Sequence, residues 1–411
     1  MKFNPWTVAL LGAGIVSVPA IAQAEEKPNF VQTALSSTTL SGYVDTSVQW
    51  NFGTGNQFLP PYAFGGSSKA DGFNLNVVEL RLDKPVEAAD VWGAGYHVDL
   101  LGGPDANALF TQSLSLTGDF AVKQAYVALH APVGNGLDFK LGVWDTIIGY
   151  EVFESANNPN FTRSYGYTME PTTHTGLLAT YQFCELLSAN LGIANSFGPT
   201  INGRAFQPTP PNSQAESFKT YMASLTFTAP TNGGFLAGST MSACIINGFN
   251  QGLLDNTTGQ FGANETHYYV GATLNTPVSG LKFGTAFDYI DVHNAHGDIY
   301  ALGAYAAFQA TEKLSFYGRA EYARQRGEFS LLGVQPLGSV EVSSMPEKAM
   351  EFTATVQYDL WKNVLSRLEL RWDHSLSGQK VWGNVHDNGE GGVSGGLRNE
   401  FELIANVVYK F

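Results

Sequence analysis

From Leu40 to Phe52 the chain alternates strictly. Leu40, Gly42, Val44, Thr46, Val48, Trp50 and Phe52 fall on one face, and Ser41, Tyr43, Asp45, Ser47, Gln49 and Asn51 on the other. Successive side chains of a β-strand point to opposite faces, so the segment reads as a strand with an apolar and a polar side. It is long enough to cross a bilayer, which takes about 9–11 residues of tilted strand. The same grammar returns at Trp92–Leu100, at Leu137–Val143, at Tyr221–Ala229 and at Met350–Leu360, where Glu351, Thr353, Thr355, Gln357 and Asp359 alternate with apolar neighbours. Between Phe73 and Lys84 the alternation changes phase near Val77-Val78, the mark of a β-bulge or of a misplaced strand boundary. Such segments number about sixteen, centred near residues 46, 78, 96, 125, 141, 179, 191, 224, 241, 270, 286, 304, 319, 354, 369 and 404.

The connections alternate too. Short turns at Pro132–Gly136, Pro230–Gly234, Pro277–Gly280 and Trp361–Asn363 take turns with long connections near 53–72, 102–118, 146–173, 197–218, 247–265, 326–347 and 375–395. Outer-membrane barrels pair short periplasmic turns with long external loops. The predicted fold is all-β: a transmembrane antiparallel up-and-down β-barrel of about sixteen strands. In the last strand Phe401, Leu403, Ala405, Val407, Tyr409 and Phe411 form an apolar stripe that ends on the terminal phenylalanine. This resembles the C-terminal signature read by the outer-membrane assembly machinery, the expected partner of Phe411.

The N-terminus reads as a signal peptide. Lys2 precedes an apolar run ending near Val18, and Ala22-Gln23-Ala24 supplies a small-x-small cleavage site. The expected organisation is a signal peptide at 1–24, a short periplasmic segment at 25–39 and the barrel at 40–411. Beyond the signal no apolar run of about 18 residues occurs, which excludes a helical membrane protein. Charged residues make up only 14%, aromatics 13%, and glycine 45 of 411 positions, which suits a wall with lipid outside and water inside. The formal net charge of −14 argues against nucleic acid as a partner. Cys184 and Cys244 fall near opposite barrel ends in this layout, too far apart for a disulfide.

The residues from Lys123-Gln124-Ala125-Tyr126-Val127 through Leu137–Gly142, Gly149-Tyr150-Glu151, Asn157–Ser164 and Pro171–Gly176 are similar to the OmpL-like β-barrel porin family of bacterial outer membranes, and Phe73–Pro85 fits it as well. The resemblance implies a water-filled channel in the outer membrane for passive diffusion of small hydrophilic solutes or ions. It also lends the connection 146–173 the role of a constriction loop, with Glu151, Glu154, Asn157, Asn160 and Arg163 as candidate residues and a preference for cations from its acids; the alternative is a loop that closes over the mouth or reaches outward. By analogy with sixteen-stranded porins, a homotrimer in outer-membrane lipid is expected.

On the inward strand faces the candidate pore-lining residues are Asp45, His97, Asp99, Arg319, Glu321, Glu351, Arg367, Glu369, Arg371 and Asp373. Acids beside bases on neighbouring strands set up a transverse field, or a cross-strand ladder that stiffens the wall. No cofactor or metal is expected. Asp291, His293, His296 and Asp298 could bind a metal, but Asn, Asp and Gly also build turns. Two other functional classes stay open: a surface-exposed structural or adhesion barrel with a closed lumen, and an outer-membrane hydrolase. The hydrolase is disfavoured because adjacent His374 and Ser375 point to opposite faces.

Overall fold

The computed structural model describes residues 31–32, 37–53, 56–86, 91–112, 118–205, 217–255, 260–293, 297–326, 345–387 and 393–411. Sixteen antiparallel strands close on themselves. They are β1 (Thr39–Asn51), β2 (Gly72–Lys84), β3 (Gly93–Gly102), β4 (Phe120–Ala131), β5 (Leu137–Asp145), β6 (Thr173–Cys184), β7 (Leu187–Ala194) and β8 (Thr220–Thr228). The second half comprises β9 (Thr240–Asp255), β10 (Gln260–Asn275), β11 (Leu281–Val292), β12 (Gly297–Gln309), β13 (Leu314–Arg326), β14 (Lys348–Trp361), β15 (Val364–Ser375) and β16 (Asn399–Lys410). Each strand pairs with its sequence neighbours, and β16 closes onto β1 from Glu402↔Asn51 to Lys410↔Tyr43. Below that seam Val31–Gln32 adds to the start of β1, where β16 has ended.

The polarity is inverted relative to a soluble protein. In β1, Tyr43, Asp45, Ser47, Gln49 and Asn51 are buried, while Val48 and Trp50 are exposed. In β15, Arg367, Glu369, Arg371 and Asp373 are buried and Leu368 and Leu370 are exposed. The inside is polar and the outside greasy because the outside faces hydrocarbon. Ring stacks run along the outside: Phe352 on Trp372 at 5.7 Å and Trp372 on Phe401 at 6.0 Å.

All sixteen expected strands are present. The phase change in β2 is a bulge: Asp45 pairs with Val77 and Thr46 with Leu75, leaving Asn76 unpaired in the ladder. Asn76 turns inward, donating to Asp45 at 2.8 Å and accepting from Ser47 at 3.2 Å. The 247–265 connection is corrected. β9 and β10 are 16 residues each and stay paired up to Asp255↔Gln260. Asn and Gly residues there broke the apolar alternation, while the pairing runs on past a shift of register between Asn250 and Leu254. Both cysteines are free, and Cys244 lies within β9 facing inward rather than at a barrel end.

The seam depends on a glycine. Gly42 and Phe411 exchange backbone hydrogen bonds of 3.0 and 2.9 Å. A Cβ at Gly42 would stand 2.8 Å from the Phe411 ring and 2.1 Å from the Glu79 carbonyl oxygen. Gly42→Val should therefore destabilise the refolded barrel by roughly 1–3 kcal/mol through overpacking, read as a lower urea midpoint. An unchanged midpoint would contradict this account of the seam.

A loop docked across the lumen as the candidate functional site

The third external loop, L3 (residues 146–172), joins β5 to β6 and folds inward. Its first turn is apolar. Ile147, Ile148 and Tyr150 pack with Trp144, Leu178, Phe197, Met222, Ile246 and Tyr269 in one buried cluster on the inner face of β5–β10. Burying such side chains is worth about 1.5–3 kcal/mol each. Tyr150 stacks on Tyr305 of β12 with centroids 3.9 Å apart, over Gly284 of β11, where a Cβ would lie 1.9 Å from the Tyr150 hydroxyl. Glycine on the inward face of β11 thus makes room for the loop.

The middle of L3 is fixed by charge. Glu154 accepts from Lys123 of β4 at 2.8 Å and from Arg81 of β2 at 3.0 Å. Arg81 also binds Asp99 at 2.9 Å, and His97 reaches Asp83 at 2.8 Å and Asp99 at 3.0 Å. Burial raises the Glu154 carboxyl, but Lys123 and Arg81 outweigh it and hold that carboxyl below its ordinary range. Ser155 at the loop tip hydrogen-bonds Asp45, and its carbonyl accepts from Arg367 Nη2 at 2.6 Å. Asp45 also accepts from Asn406 at 2.7 Å.

The returning limb docks on β13–β15. Arg319 binds Glu151 at 2.7 Å and Glu351 at 2.6 Å, and donates to the Thr162 carbonyl at 2.6 Å. Glu369 accepts from the Phe161 and Thr162 amides at 2.6 and 2.8 Å, while Asn160 donates to Thr355 at 2.7 Å. Arg371 pairs with Asp373 at 2.8 Å, donates to the Arg163 carbonyl at 2.7 Å, and sits 4.1 Å from the centre of the Tyr62 ring. Arg163 donates to the Phe161 and Phe153 carbonyls and lies over the Phe64 and Tyr167 rings. A short helix, α1 (Tyr165–Met169), is N-capped by Ser164, and the Tyr165 and Gly166 amides donate to Glu321. Loop L1 (52–71) braces L3 from above: Tyr62 hydrogen-bonds Glu402, and the Ala63 amide donates to Thr168 at 2.9 Å.

Every candidate inward residue therefore faces inward. Asp45, Arg319, Glu321, Glu351, Arg367, Glu369, Arg371, Asp373 and Asp99 are buried, and His97 is nearly so. They meet L3 or one another. In the loop Glu151, Glu154, Asn160 and Arg163 are buried and Asn157 is exposed, with Lys410 Nζ 3.5 Å from its Oδ1. Gln309, Gln357, Asp359 and Lys410, inward residues at the periplasmic ends of their strands, keep some exposure. Arg81, Lys123, Tyr62 and Tyr165 were missed from sequence. Arg81 and Lys123 lie in strands and Tyr62 and Tyr165 in loops, and each is bonded to a side chain far away in sequence. His293 is 3.2 Å from Asp291; His296 lies outside the described residues.

A closed sixteen-stranded barrel, apolar outside and polar inside, with a long external loop turned into it, defines an outer-membrane porin. The chain belongs to the "Putative beta-barrel porin-2, OmpL-like" family, whose model matches residues 37–411. No curated protein matches it in sequence. Among solved structures it is similar to the outer-membrane channel DcaP of Acinetobacter baumannii (TM-score 0.55, 11% identity, 93% of this chain and 99% of that one). It is also similar to an anion-selective porin from Comamonas acidovorans (0.54, 12%, 91% and 99%) and to Salmonella typhi OmpF in complex with daunomycin (0.54, 13%, 91% and 97%). At these identities the likeness is one of fold.

Arg319 is the central fastening of L3. Arg319→Ala would strand Glu151 and Glu351 without their cation, and breaking a buried pair in this way costs about 3–5 kcal/mol. The urea midpoint should fall and L3 should become cleavable by added protease. Arg319→Lys should fall between, since an ammonium cannot reproduce the fork. Wild-type protease resistance in the alanine variant would refute this role.

Proposed function

We propose that this porin passes small hydrophilic solutes and ions by passive diffusion through a lumen narrowed by L3, with a preference for cations, and that it acts as a conduit rather than a hydrolase. The observation that carries the reading is the anchoring of L3 to the wall by an acid-rich network. The buried inward charges on β13–β16 are three arginines, Arg319, Arg367 and Arg371, and six acids, Glu321, Glu351, Glu369, Asp373, Glu400 and Glu402; Lys410 and Asp359 add one of each sign at the periplasmic end. Excess carboxylate in a low-dielectric passage concentrates cations. Against hydrolysis, His374 faces outward with Asn399 at 2.7 Å while Ser375 is buried inside. A homotrimer is part of the proposal, supported by a trimer form of Vibrio cholerae OmpT that shares the fold (TM-score 0.50, 14% identity, 91% of this chain and 99% of that one).

The test is conductance of the refolded protein in a planar bilayer under a salt gradient. Discrete steps with a reversal potential of cation sign are expected, and native mass measurement should give three chains. Converting Glu151 and Glu154 together to Gln should move the reversal potential toward anions, because Arg319, Lys123 and Arg81 lose counter-charge. An unchanged reversal potential would refute the role of these acids. A folded barrel without steps would fit a closed surface barrel instead.

A further inference from the structure

One contact of L3 differs from the rest. Where Glu151 and Glu154 meet cations, Glu170 at the end of α1 meets a carboxyl: it hydrogen-bonds Asp288 of β11. The crowding is visible in the backbone. A Cβ on Gly149 would lie 2.5 Å from Glu170 Oε2, and one on Gly166 would lie 2.8 Å from Asp288 Oδ2 and 3.3 Å from Glu321 Oε1. Gly149 is left-handed (φ +119°), so the two limbs of L3 close around the Glu170 carboxyl.

The groups facing Glu170 are Asp288 of β11, Glu321 of β13, Glu151 of L3 itself, Tyr269 of β10 and Cys244 of β9. His267 of β10 reaches only Asp288, at 2.8 Å. No ion pair joins a cation to Glu170 among the described residues, and every Lys and Arg beyond Lys27 is described. Two carboxyls in hydrogen-bond contact cannot both ionise, so the docked loop holds a proton between them. Burial and the Asp288 charge hold the Glu170 carboxyl well above its ordinary range. A cavity of about 50 Å³ between the external loops, lined in part by Phe64, Leu109, Tyr167, Glu170 and Phe197, brings space for water to it.

We propose that L3 is a proton-latched plug: Glu170 and Asp288 share one proton while the loop is docked, and loss of that proton at alkaline pH releases the loop and widens the channel. This rests on the porin reading. The sign follows from linkage. The docked loop binds a proton that the released loop, with Glu170 in water, does not hold at neutral pH. The contribution of this proton to docking is thus fully present at pH below the ordinary carboxyl range and is lost as pH rises through the raised value. The Glu154 clamp does not oppose this, since its carboxyl stays ionised across the same window.

The experiment is single-channel conductance of the refolded full chain from about pH 6 to about pH 9.5, well above ordinary carboxyl values, for wild type, Glu170→Gln and Asp288→Asn. Wild type should rise several-fold with pH. Glu170→Gln, whose amide donates to Asp288 at every pH, should stay low and flat. Asp288→Asn should be flattened likewise, which covers a misfolding Gln variant; folding of each is checked by heat-modifiable migration. Wild-type channels without the rise, or a rise retained in both variants, would overturn the latch and leave the porin reading intact. Absence of wild-type channels at every pH would overturn both.

Discussion

In the hydrocarbon layer no water is present to satisfy a peptide group, so every backbone N–H and C=O of a crossing strand must be paired within the protein. This constraint orders the rest of the molecule. It forces the sheet to close, and closure brings β16 onto β1 through nine aligned residue pairs. It also forces the outward side chains to be apolar, which leaves the inward phase of each strand to carry Asp, Glu, Arg, Lys and Asn. A wall lined this way cannot be filled by hydrophobic packing alone. L3 matches it on both counts: Ile147 and Tyr150 cover the half where β6–β12 present Leu178, Met222, Gly284 and Tyr305, and Glu151, Glu154 and the Thr162 backbone meet the charged half on β13–β15 and β2–β4.

That division gives the interior its electrostatic character. Buried cations are each held by carboxylates or by loop carbonyls, as Arg319 and Arg371 show. Removing a partner from such a set is costly, whereas moving the whole loop into water lets each group regain solvation. The polar contacts that hold the middle and returning limb of L3 can therefore place it firmly and still let those parts be displaced, while its apolar first turn stays packed.

The wall was legible in the sequence because period two is a local property: Leu40–Phe52, Met350–Leu360 and Phe401–Phe411 show their facing without reference to any other strand. The bulge at Asn76 was legible for the same reason, as a slip in phase. The top of β9–β10 was not. There Asn247, Gly248 and Asn250 hide a ladder that continues, through a shift of register between Asn250 and Leu254, to Asp255. The site was half legible. Arg319, Glu351 and Glu369 stand out as charges in an apolar rhythm, but their bonds to Glu151, Thr162 and Phe161 join positions more than 150 residues apart. No local pattern encodes which loop closes over which wall, and Arg81, Lys123 and Tyr62 gave no signal of their own.

The central claim is that L3 lies against β14 and β15 inside the barrel. Asn160 and Thr355, which hydrogen-bond at 2.7 Å, can both be changed to cysteine in a chain whose Cys184 and Cys244 are replaced by serine. A short thiol-to-thiol crosslinker is then applied to intact outer membranes. The account predicts that folded chains acquire an internal crosslink that shifts their migration. A folded barrel that reacts at both cysteines yet never joins them would place L3 outside the lumen and contradict the account.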